Sequence, residues 1–542
     1  MNRRQAVAVL VLVVALIAGT WAVARVQETN DNTYANIERF IQVLTKVRDN
    51  YVEPVSSDKL MDSAIRGMLR TLDPYSQYLD KEEAERLETT THGSFGGIGI
   101  SIGMRDHWVT VIAPIEGTPG WKAGIQGGDR IIKIDSFSTE GLSLDDAMKK
   151  MRGEKGSKVL LTIFREGRDK PLEFTIVRDI IQIKSVPYAG VLSNGVGYIR
   201  LSTFSERSRE EMDAAFAKIE KQHPRGLILD LRYNPGGLLS QAVEVAEEFT
   251  PRGKKIVYTR GRDPGQNRDF FSTADHVHDD YPMVILVNQW TASASEIVSG
   301  ALQDLDLGLV VGKASFGKGL VQTVIPLTRS VKGPKLKLTT AKYYTPSGRC
   351  IQKDEQLKDG ALANDEDFNP GDEADTTAAR KPRPEFHTDM GRVVFGGGGI
   401  APDVELAEVK LPRIIEDLEA KQIFFKYAVK YAVRHKEPPA DYAVSSAMRD
   451  EFAQLLKDEK VEVNADSLAQ AQRWVETGIR RELGRRFVGE EEAYRIALED
   501  DQQVRAASAL FDRAPTLPRL LALASEMQKA KLSQADAGKT VR

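Results

Sequence analysis

Residues 283–322 read MVILVNQWTASASEIVSGALQDLDLGLVVGKASFGKGLVQ, and this stretch decides the fold. The apolar run 283–287 is typical of a buried strand, and the polar residues after it interrupt the run. From 293 to 305 the apolar residues recur at helical spacing, which predicts a helix. A second apolar run at 307–311 predicts the next strand. The stretch therefore predicts one strand, helix and strand unit of an α/β core.

The small residues at 291–295 lie where the first strand turns into the helix. The first turn of a helix carries backbone N–H groups without intrahelical acceptors, and its dipole favours negative charge. A serine oxygen that attacks a carbonyl there has an oxyanion site beside it. Serine and threonine at such a junction are also the usual helix caps, so capping is the alternative interpretation.

A lysine follows the second strand, between two glycines of the loop GKASFGKG at 312–319. Lys318 in this setting is poorly explained as a solubilising surface residue. An anion-binding loop is the alternative, because such loops present several backbone amides.

Together these residues resemble the carboxyl-terminal processing, or tail-specific, proteases, which use a serine–lysine dyad. The family's Ser-Ala-Ser-Ala-Ser-Glu corresponds to residues 291–296 and its Gly-Lys-Gly to 317–319, with Thr291 as the one departure. The resemblance implies that Ser293 is the nucleophile, Lys318 the general base and Gln322 the residue that orients the lysine.

A lysine that acts as a base near pH 7 needs a pKa lowered from about 10.4 by roughly 3 units, or about 4 kcal/mol. Burial away from water supplies a shift of this size, whereas a neighbouring carboxylate opposes it. We therefore expect Lys318 to lie in a largely dry pocket.

The turn Asn-Pro-Gly-Gly at 234–237 follows a predicted strand at 226–231 and matches a further motif of the family. The resemblance implies that Gly236, or less favourably Gly237, joins Ala294 in an oxyanion hole. The plain alternative is a tight turn with no other role.

Residues 94–180 are similar to a PDZ domain, with the glycine-rich segment SFGGIGI at 94–100 and the motif GGDRI at 127–131. PDZ domains bind a peptide as an added strand and hold its terminal carboxylate on loop amides. That loop corresponds to Gly97, Ile98, Gly99 and Ile100. A helix predicted at 144–151 either lines the groove or is simply buried.

The resemblance implies a multidomain α+β chain with a crotonase/ClpP-like α/β protease core, an inserted PDZ domain, a helical N-terminal region and a helical C-terminal extension. The predicted limits are 1–25 for a signal or anchor segment, 32–92 for the N-terminal helices, 94–180 for the PDZ domain, 185–352 and 395–405 for the core, 353–394 for an acidic, mobile loop insert, 406–533 for the C-terminal helices and 534–542 for a disordered tail.

The composition argues against several classes of function. The 542 residues carry a net charge of −3, which gives no basic footprint for nucleic acid. One cysteine, Cys350, rules out an intrachain disulfide, and no Cys/His cluster has zinc spacing. We expect neither a metal nor a cofactor.

Residues 6–24 are uncharged, follow Arg3 and Arg4, and span about 28 Å as a helix, close to a bilayer core. The segment is either a cleaved signal or a retained inner-membrane anchor, and its length favours the anchor. Both interpretations place the rest of the chain outside the cytoplasm, in the periplasm or cell envelope.

The sequence thus predicts an extracytoplasmic serine endopeptidase that cleaves proteins or peptides with free C-termini through an acyl-enzyme. A non-catalytic PDZ scaffold is the rival from another class, and a hydrolase that uses a distant histidine is a weaker alternative. A homo-oligomer formed through the N-terminal helices and an adaptor on the C-terminal helices stay open beside plain packing.

Overall fold

The computed structural model describes residues 33–275, 277–330, 333–353, 383–407 and 410–527. The predicted fold class is confirmed, because a mixed α/β core lies between helical N-terminal and C-terminal regions and carries an inserted small β module. The predicted signal or anchor segment and the predicted tail lie outside the described residues. Within these five ranges, no helix has the length and apolar character that a membrane span requires.

The core is built on a six-stranded sheet in which only the first pair of neighbours is antiparallel. Its middle strands are entirely buried runs of leucine, isoleucine and valine, as expected for a parallel sheet covered on both faces. The strands, in spatial order, are Tyr188–Val191, Gly197–Arg200, Leu227–Asp230, Met283–Val287, Leu309–Gly312 and Val404–Glu405.

The two faces of this sheet are covered by different parts of the chain. Leu229 and Ile285 face one layer of helices, whereas their neighbours Ile228 and Leu286 face the other, because side chains alternate along a strand. The first layer consists of Ser208–Ile219 with the 3-10 turn Glu220–Gln222, Leu239–Glu247 and Ala294–Asp304. Residues near 500 to 524 of the C-terminal region form the second layer.

A second, antiparallel sheet lies beside the core and ties the N-terminal region to it. The helices at 33–50, Ser57–Arg70 and Lys81–His92 match the prediction of a helical region, but the strand Gln77–Leu79 between them was not predicted. It pairs with the long strand Lys335–Tyr344. The other strands of this sheet are Lys255–Gly261, Arg268–Phe271 and Leu320–Pro326, and the 3-10 turn Pro264–Gln266 links the first two.

The inserted module between the N-terminal helices and the core is a small β sheet with two helices. Its strand pair Ser94–Gly97 and Asp179–Gln182 closes the base. The helix Leu144–Met151 has the predicted bounds and buries Ala147 and Met151. The remaining elements are the strands Ile100–Arg105, Trp108–Pro114, Arg130–Ile134, Phe137–Ser138, Lys158–Phe164 and Leu172–Val177 and the helix Pro119–Lys122.

The C-terminal region is helical, as predicted, and packs on both the core and the inserted module. The Arg105 guanidinium lies 4.7 Å above the ring of Phe425, and Arg486 donates to Gln126 Oε1 at 2.8 Å. The helices are Arg413–Ala420, Ile423–Arg434, Ser446–Asp458, Ala465–Gln470, Gln472–Phe487, Glu490–Leu498, Gln502–Arg513 and residues 517–527, with the 3-10 turn Ala440–Tyr442.

The interpretation of 353–394 as a mobile loop does not hold for its last part. Residues 383–394 belong to a hairpin of Glu385–His387 and Val393–Phe395. Its Arg392 pairs with the buried carboxylates of Asp306 and Asp403 at 2.6 and 2.5 Å. Because ion pairs hold this hairpin in place, its sequence shows no apolar periodicity that would have predicted it. The rest of the predicted insert, from 354 to 382, lies outside the described residues.

Candidate active site

Ser293 occupies the junction between the strand Met283–Val287 and the helix Ala294–Asp304, as predicted. Its backbone has φ 55° and ψ −115°, a conformation that L-residues rarely adopt. Such strain persists only where the surrounding structure enforces it, and it is concentrated at functional sites. The side chain is half-buried, so the hydroxyl sits at the surface of the core instead of within it.

The carboxylate of Glu296, one turn into that helix, is fully buried and holds the two predicted dyad segments together. Its Oε2 accepts the amide of Ser293 at 2.8 Å and the amide of Lys318 at 2.9 Å. Its Oε1 accepts the hydroxyl of Ser315 at 2.5 Å and the amide of Gly317 at 2.7 Å. The backbone of Ser293 and the lysine loop, residues 313–319, are therefore anchored on one side chain.

Burial raises the pKa of Glu296 to about 7, although hydrogen bonds from Ser315 and from the three amides work in the opposite direction. A carboxylate with four donors around it is well matched to its charged form. The site is therefore held in the described arrangement by an ionised group that takes up a proton close to neutral pH.

The buried hydroxyl of Tyr343 provides a second link between the two segments. It lies 3.0 Å from the carbonyl oxygen of Ser293 and 2.5 Å from that of Lys318, so its single proton serves either acceptor. Burial raises the pKa of Tyr343 well above its usual range, which keeps the hydroxyl a donor. Glu296 and Tyr343 therefore both bind the backbone of Ser293 and of Lys318, not their side chains.

Lys318 is half-buried at the end of the lysine loop, next to a tyrosine from the N-terminal region. Its Nζ lies 4.7 Å from the centre of the Tyr75 ring. Gln322 follows on the strand Leu320–Pro326, opposite Thr339 in register, and its side-chain amide donates to Thr339 Oγ1 at 3.4 Å. The structure thus brings Ser293, Lys318 and Gln322 to one end of the core.

The Asn-Pro-Gly-Gly turn lies directly against Ser293. A Cβ placed on Gly236 would come within 2.8 Å of the Ala294 nitrogen and of Ser293 Cβ. The Gly236 amide, however, donates to Asn234 Oδ1 at 2.9 Å within the turn. The prediction that Gly236 is the preferred oxyanion donor is therefore not supported, and Gly237 is the alternative within the turn. Ala294 is the first helical residue, so its amide has no intrahelical acceptor.

The departure from the family motif at Thr291 has a structural explanation. Its hydroxyl donates to the carbonyl of Leu231 and accepts from the amide of Asn288, both at 2.9 Å, and it is fully buried. A threonine supplies that hydroxyl as well as a serine does. Ser295 is likewise buried and donates to the carbonyl of Asn234 at 3.0 Å. Both neighbours of Ser293 therefore use their hydroxyls to hold the junction.

A buried charge cluster supports the turn, and the sequence interpretation missed it. Asp230 ends its strand fully buried, 2.6 Å from Arg232, 2.9 Å from Arg200 and 2.7 Å from the hydroxyl of Tyr198. Although burial disfavours its charge, Arg232 and Arg200 hold the pKa of Asp230 at about 2. Arg232 also binds Asp501 at 2.7 Å, which links the turn to the C-terminal helices. The sequence signal for this cluster is the pair of opposite charges in Asp-Leu-Arg, at the end of a predicted strand.

In the inserted module, the strand Ile100–Arg105 is paired on one side only among the described residues, with Trp108–Pro114. Its other edge has no strand partner among these residues. In the preceding loop, the carbonyls of Ile98 and Gly99 accept the amides of Gly120 and Ile115 at 2.7 and 2.9 Å. The predicted carboxylate loop is therefore fixed by its carbonyl groups.

Within the described part of the chain, no cluster of three or more histidine, cysteine, aspartate or glutamate side chains is placed to hold a metal ion.

Comparison with known proteins finds the same three parts. Residues 195–360 match peptidase family S41, residues 110–165 match the PDZ domain, and residues 18–83 match the N-terminal domain of the activating protease CtpB. The chain is 45% identical over 325 residues to a carboxy-terminal-processing protease of Bartonella bacilliformis, covering 59% of this chain and 74% of that one. It is 38% identical over 336 residues to the carboxy-terminal processing protease CtpB of Bacillus subtilis, covering 61% and 68%. A carboxyl-terminal-processing protease of Synechocystis is 40% identical over 316 residues, with 57% and 72% covered.

Proposed function

Because the chain belongs to the carboxy-terminal processing proteases of peptidase family S41, which are serine-type peptidases, we propose that it cleaves proteins near their C-termini with a dyad of Ser293 and Lys318. One observation carries this proposal. The buried carboxylate of Glu296 accepts the backbone amides of both residues, at 2.8 and 2.9 Å. Nucleophile and base are thereby held by a single group.

In this mechanism Ser293 Oγ attacks the scissile carbonyl carbon while Lys318 Nζ takes the hydroxyl proton. The amide of Ala294, with that of Gly237 or Gly236, stabilises the oxyanion. When the C–N bond breaks, the proton passes from Lys318 to the leaving nitrogen. Water then hydrolyses the acyl-enzyme, with Lys318 again as the base. Gln322 orients the lysine side chain.

The base must be uncharged when the substrate binds. A lysine meets this condition near pH 7 only if its surroundings lower the pKa by roughly 3 units. The half-buried position of Lys318 reduces its contact with water. This burial supports the assignment of Lys318 as the base.

The PDZ domain is assigned the capture of the substrate's free C-terminus. An extended peptide adds to the open edge of Ile100–Arg105, next to the helix Leu144–Met151, and its carboxylate meets the loop Gly97, Ile98, Gly99 and Ile100. Capture of the free C-terminus by this domain gives a reason for cleavage near the end of a chain.

The dyad is tested with four variants on an unstructured fluorogenic peptide. Ser293→Ala and Lys318→Ala should each reduce kcat by at least about 10³-fold, because the base and the nucleophile act as one unit. Ser299→Ala, in the same helix, and Lys313→Ala, in the same loop, are the matched controls and should stay within threefold of wild type. A fluorophosphonate should label wild type and not Ser293→Ala.

Equal cleavage by wild type and Ser293→Ala would refute the enzyme assignment and favour a scaffold. Near-normal activity of Lys318→Ala would instead point to another base.

The extracytoplasmic location is proposed from the apolar segment at 6–24. Fusing residues 1–30 to alkaline phosphatase, which is active only after export, tests this directly. N-terminal sequencing of the mature protein then separates a cleaved signal from a retained anchor. An inactive fusion would contradict the proposal.

A further inference from the structure

Tyr75 reaches the lysine from the N-terminal region, far away in the sequence. Its ring centre lies 4.7 Å from Lys318 Nζ. The face of an aromatic ring attracts a cation through its quadrupole and attracts a neutral amine much less. Tyr75 is thus placed to distinguish the charged form of the lysine from the uncharged form.

The turn that carries this ring, residues 73–76, is fixed by its own hydrogen bonds, and we refer to it as the N-terminal turn. Asp73 Oδ1 accepts the amides of Tyr75 and Ser76, both at 2.8 Å, and Oδ2 accepts the Ser76 hydroxyl at 2.8 Å. An aspartate that binds the amides following it holds the backbone of a turn in place. The position of the Tyr75 ring is therefore set by the fold.

The N-terminal turn is also attached to the strand that supports Gln322. The amide of Thr339 donates to Ser76 Oγ at 3.1 Å, and Gln322 donates to Thr339 Oγ1 at 3.4 Å. The next residues, Gln77–Leu79, pair with Lys335–Tyr344, the strand that contains Thr339. One connected set of hydrogen bonds therefore sets both the ring at the lysine and the glutamine that follows it.

We propose that Tyr75 is a positioning residue for Lys318 that stabilises the ammonium formed during acylation. This inference rests on the proposed role of Lys318 as the general base. As Ser293 Oγ bonds to the substrate carbon, its proton moves to the lone pair of Lys318 Nζ, and the amine becomes a cation beneath the ring. Since the ring binds the cation more strongly than the amine, it stabilises the transition state more than the resting enzyme.

The test compares variants of the full chain on a short fluorogenic peptide. Tyr75→Leu and Tyr75→Met remove the ring and should lower kcat roughly tenfold, equivalent to about 1.4 kcal/mol, with KM within twofold. Tyr75→Phe keeps the ring face and should retain kcat within twofold. Tyr78→Leu is the matched control, because Tyr78 lies in the same segment but its ring contacts Arg66 at 5.5 Å. Its kcat should stay within twofold.

Each variant is assayed well below its own Tm, so that the folded state is compared in every case. An unchanged kcat in the Leu and Met variants would overturn the inference, and so would a Phe variant as impaired as they are. An equal loss in Tyr78→Leu would reduce Tyr75 to a packing role. If Lys318→Ala keeps activity, the proposed function itself fails, which is a result distinct from all of these.

Discussion

Replacing Glu296 by glutamine tests whether one carboxylate holds the dyad. The change keeps the size of the side chain but replaces one acceptor oxygen with an NH₂ donor. Each oxygen of Glu296 accepts two hydrogen bonds. Whichever oxygen the NH₂ group of glutamine replaces, it faces two donors and cannot accept from them. The side chain is fully buried, and water does not compensate.

The magnitude follows from these two lost hydrogen bonds. A buried donor left without an acceptor costs about 1–3 kcal/mol, so the variant loses about 2–6 kcal/mol. If the lower limit of this cost, about 2 kcal/mol, appears fully as a higher activation free energy, kcat falls about 30-fold. The donors that lose their acceptor lie at Ser293 and in the lysine loop, so we expect the loss in kcat and in the rate of fluorophosphonate labelling.

The assay is run at pH 8.5, where Glu296 of the wild type is ionised, with thermal denaturation measured in parallel. Ser315→Ala, which removes one of the four donors, should give a smaller loss than Glu296→Gln. A Glu296→Gln enzyme with kcat within threefold of wild type and an unchanged Tm would refute the reasoning. A large fall in Tm with normal kcat would show that Glu296 supports the fold and not the dyad.

Three further outcomes are expected. Since the pKa of Glu296 is raised to about 7 and the ionised form accepts all four donors, kcat of the wild type should fall steeply below pH 7, as both Lys318 and Glu296 take up a proton. Glu296→Gln should keep only the shallower, one-proton step of Lys318, and profiles of equal steepness would contradict the assignment. Gly236→Ala should reduce kcat at least about 10²-fold, because the added Cβ comes within 2.8 Å of the Ala294 nitrogen. The control Gly253→Ala should keep kcat, because Gly253 also has a positive φ but no atom lies within 4 Å of the added carbon. Comparable rates for the two variants would contradict the clash. Amidating the C-terminus of a peptide substrate should weaken its binding to the PDZ domain at least tenfold in titration calorimetry, and equal affinities would remove the carboxylate from the recognition.

The sequence predicts the elements around the site well because their signals are local. The run at 283–287 is apolar without interruption, and the helix that begins after Ser293 has a clear apolar face, so the position of Ser293 at the junction follows directly. The helix Leu144–Met151 was found for the same reason, since its buried residues recur at helical spacing.

What the sequence did not predict depends on contacts between distant residues. Glu296 is three positions after Ser293, a spacing typical of a helix cap, but its burial arises from partners at 315–318. The contact of Tyr75 with Lys318 joins two segments that show no common pattern. The engagement of the Gly236 amide by Asn234 was equally invisible, because a sequence motif names the residues of a turn and not the direction of each amide.

The layer of C-terminal helices over the central sheet has a consequence for biosynthesis. Ile228, Val284, Leu286 and Val311 lack their apolar covering until residues near 500 to 524 have been made. This face of the central sheet therefore stays without its apolar covering until synthesis has passed residue 524.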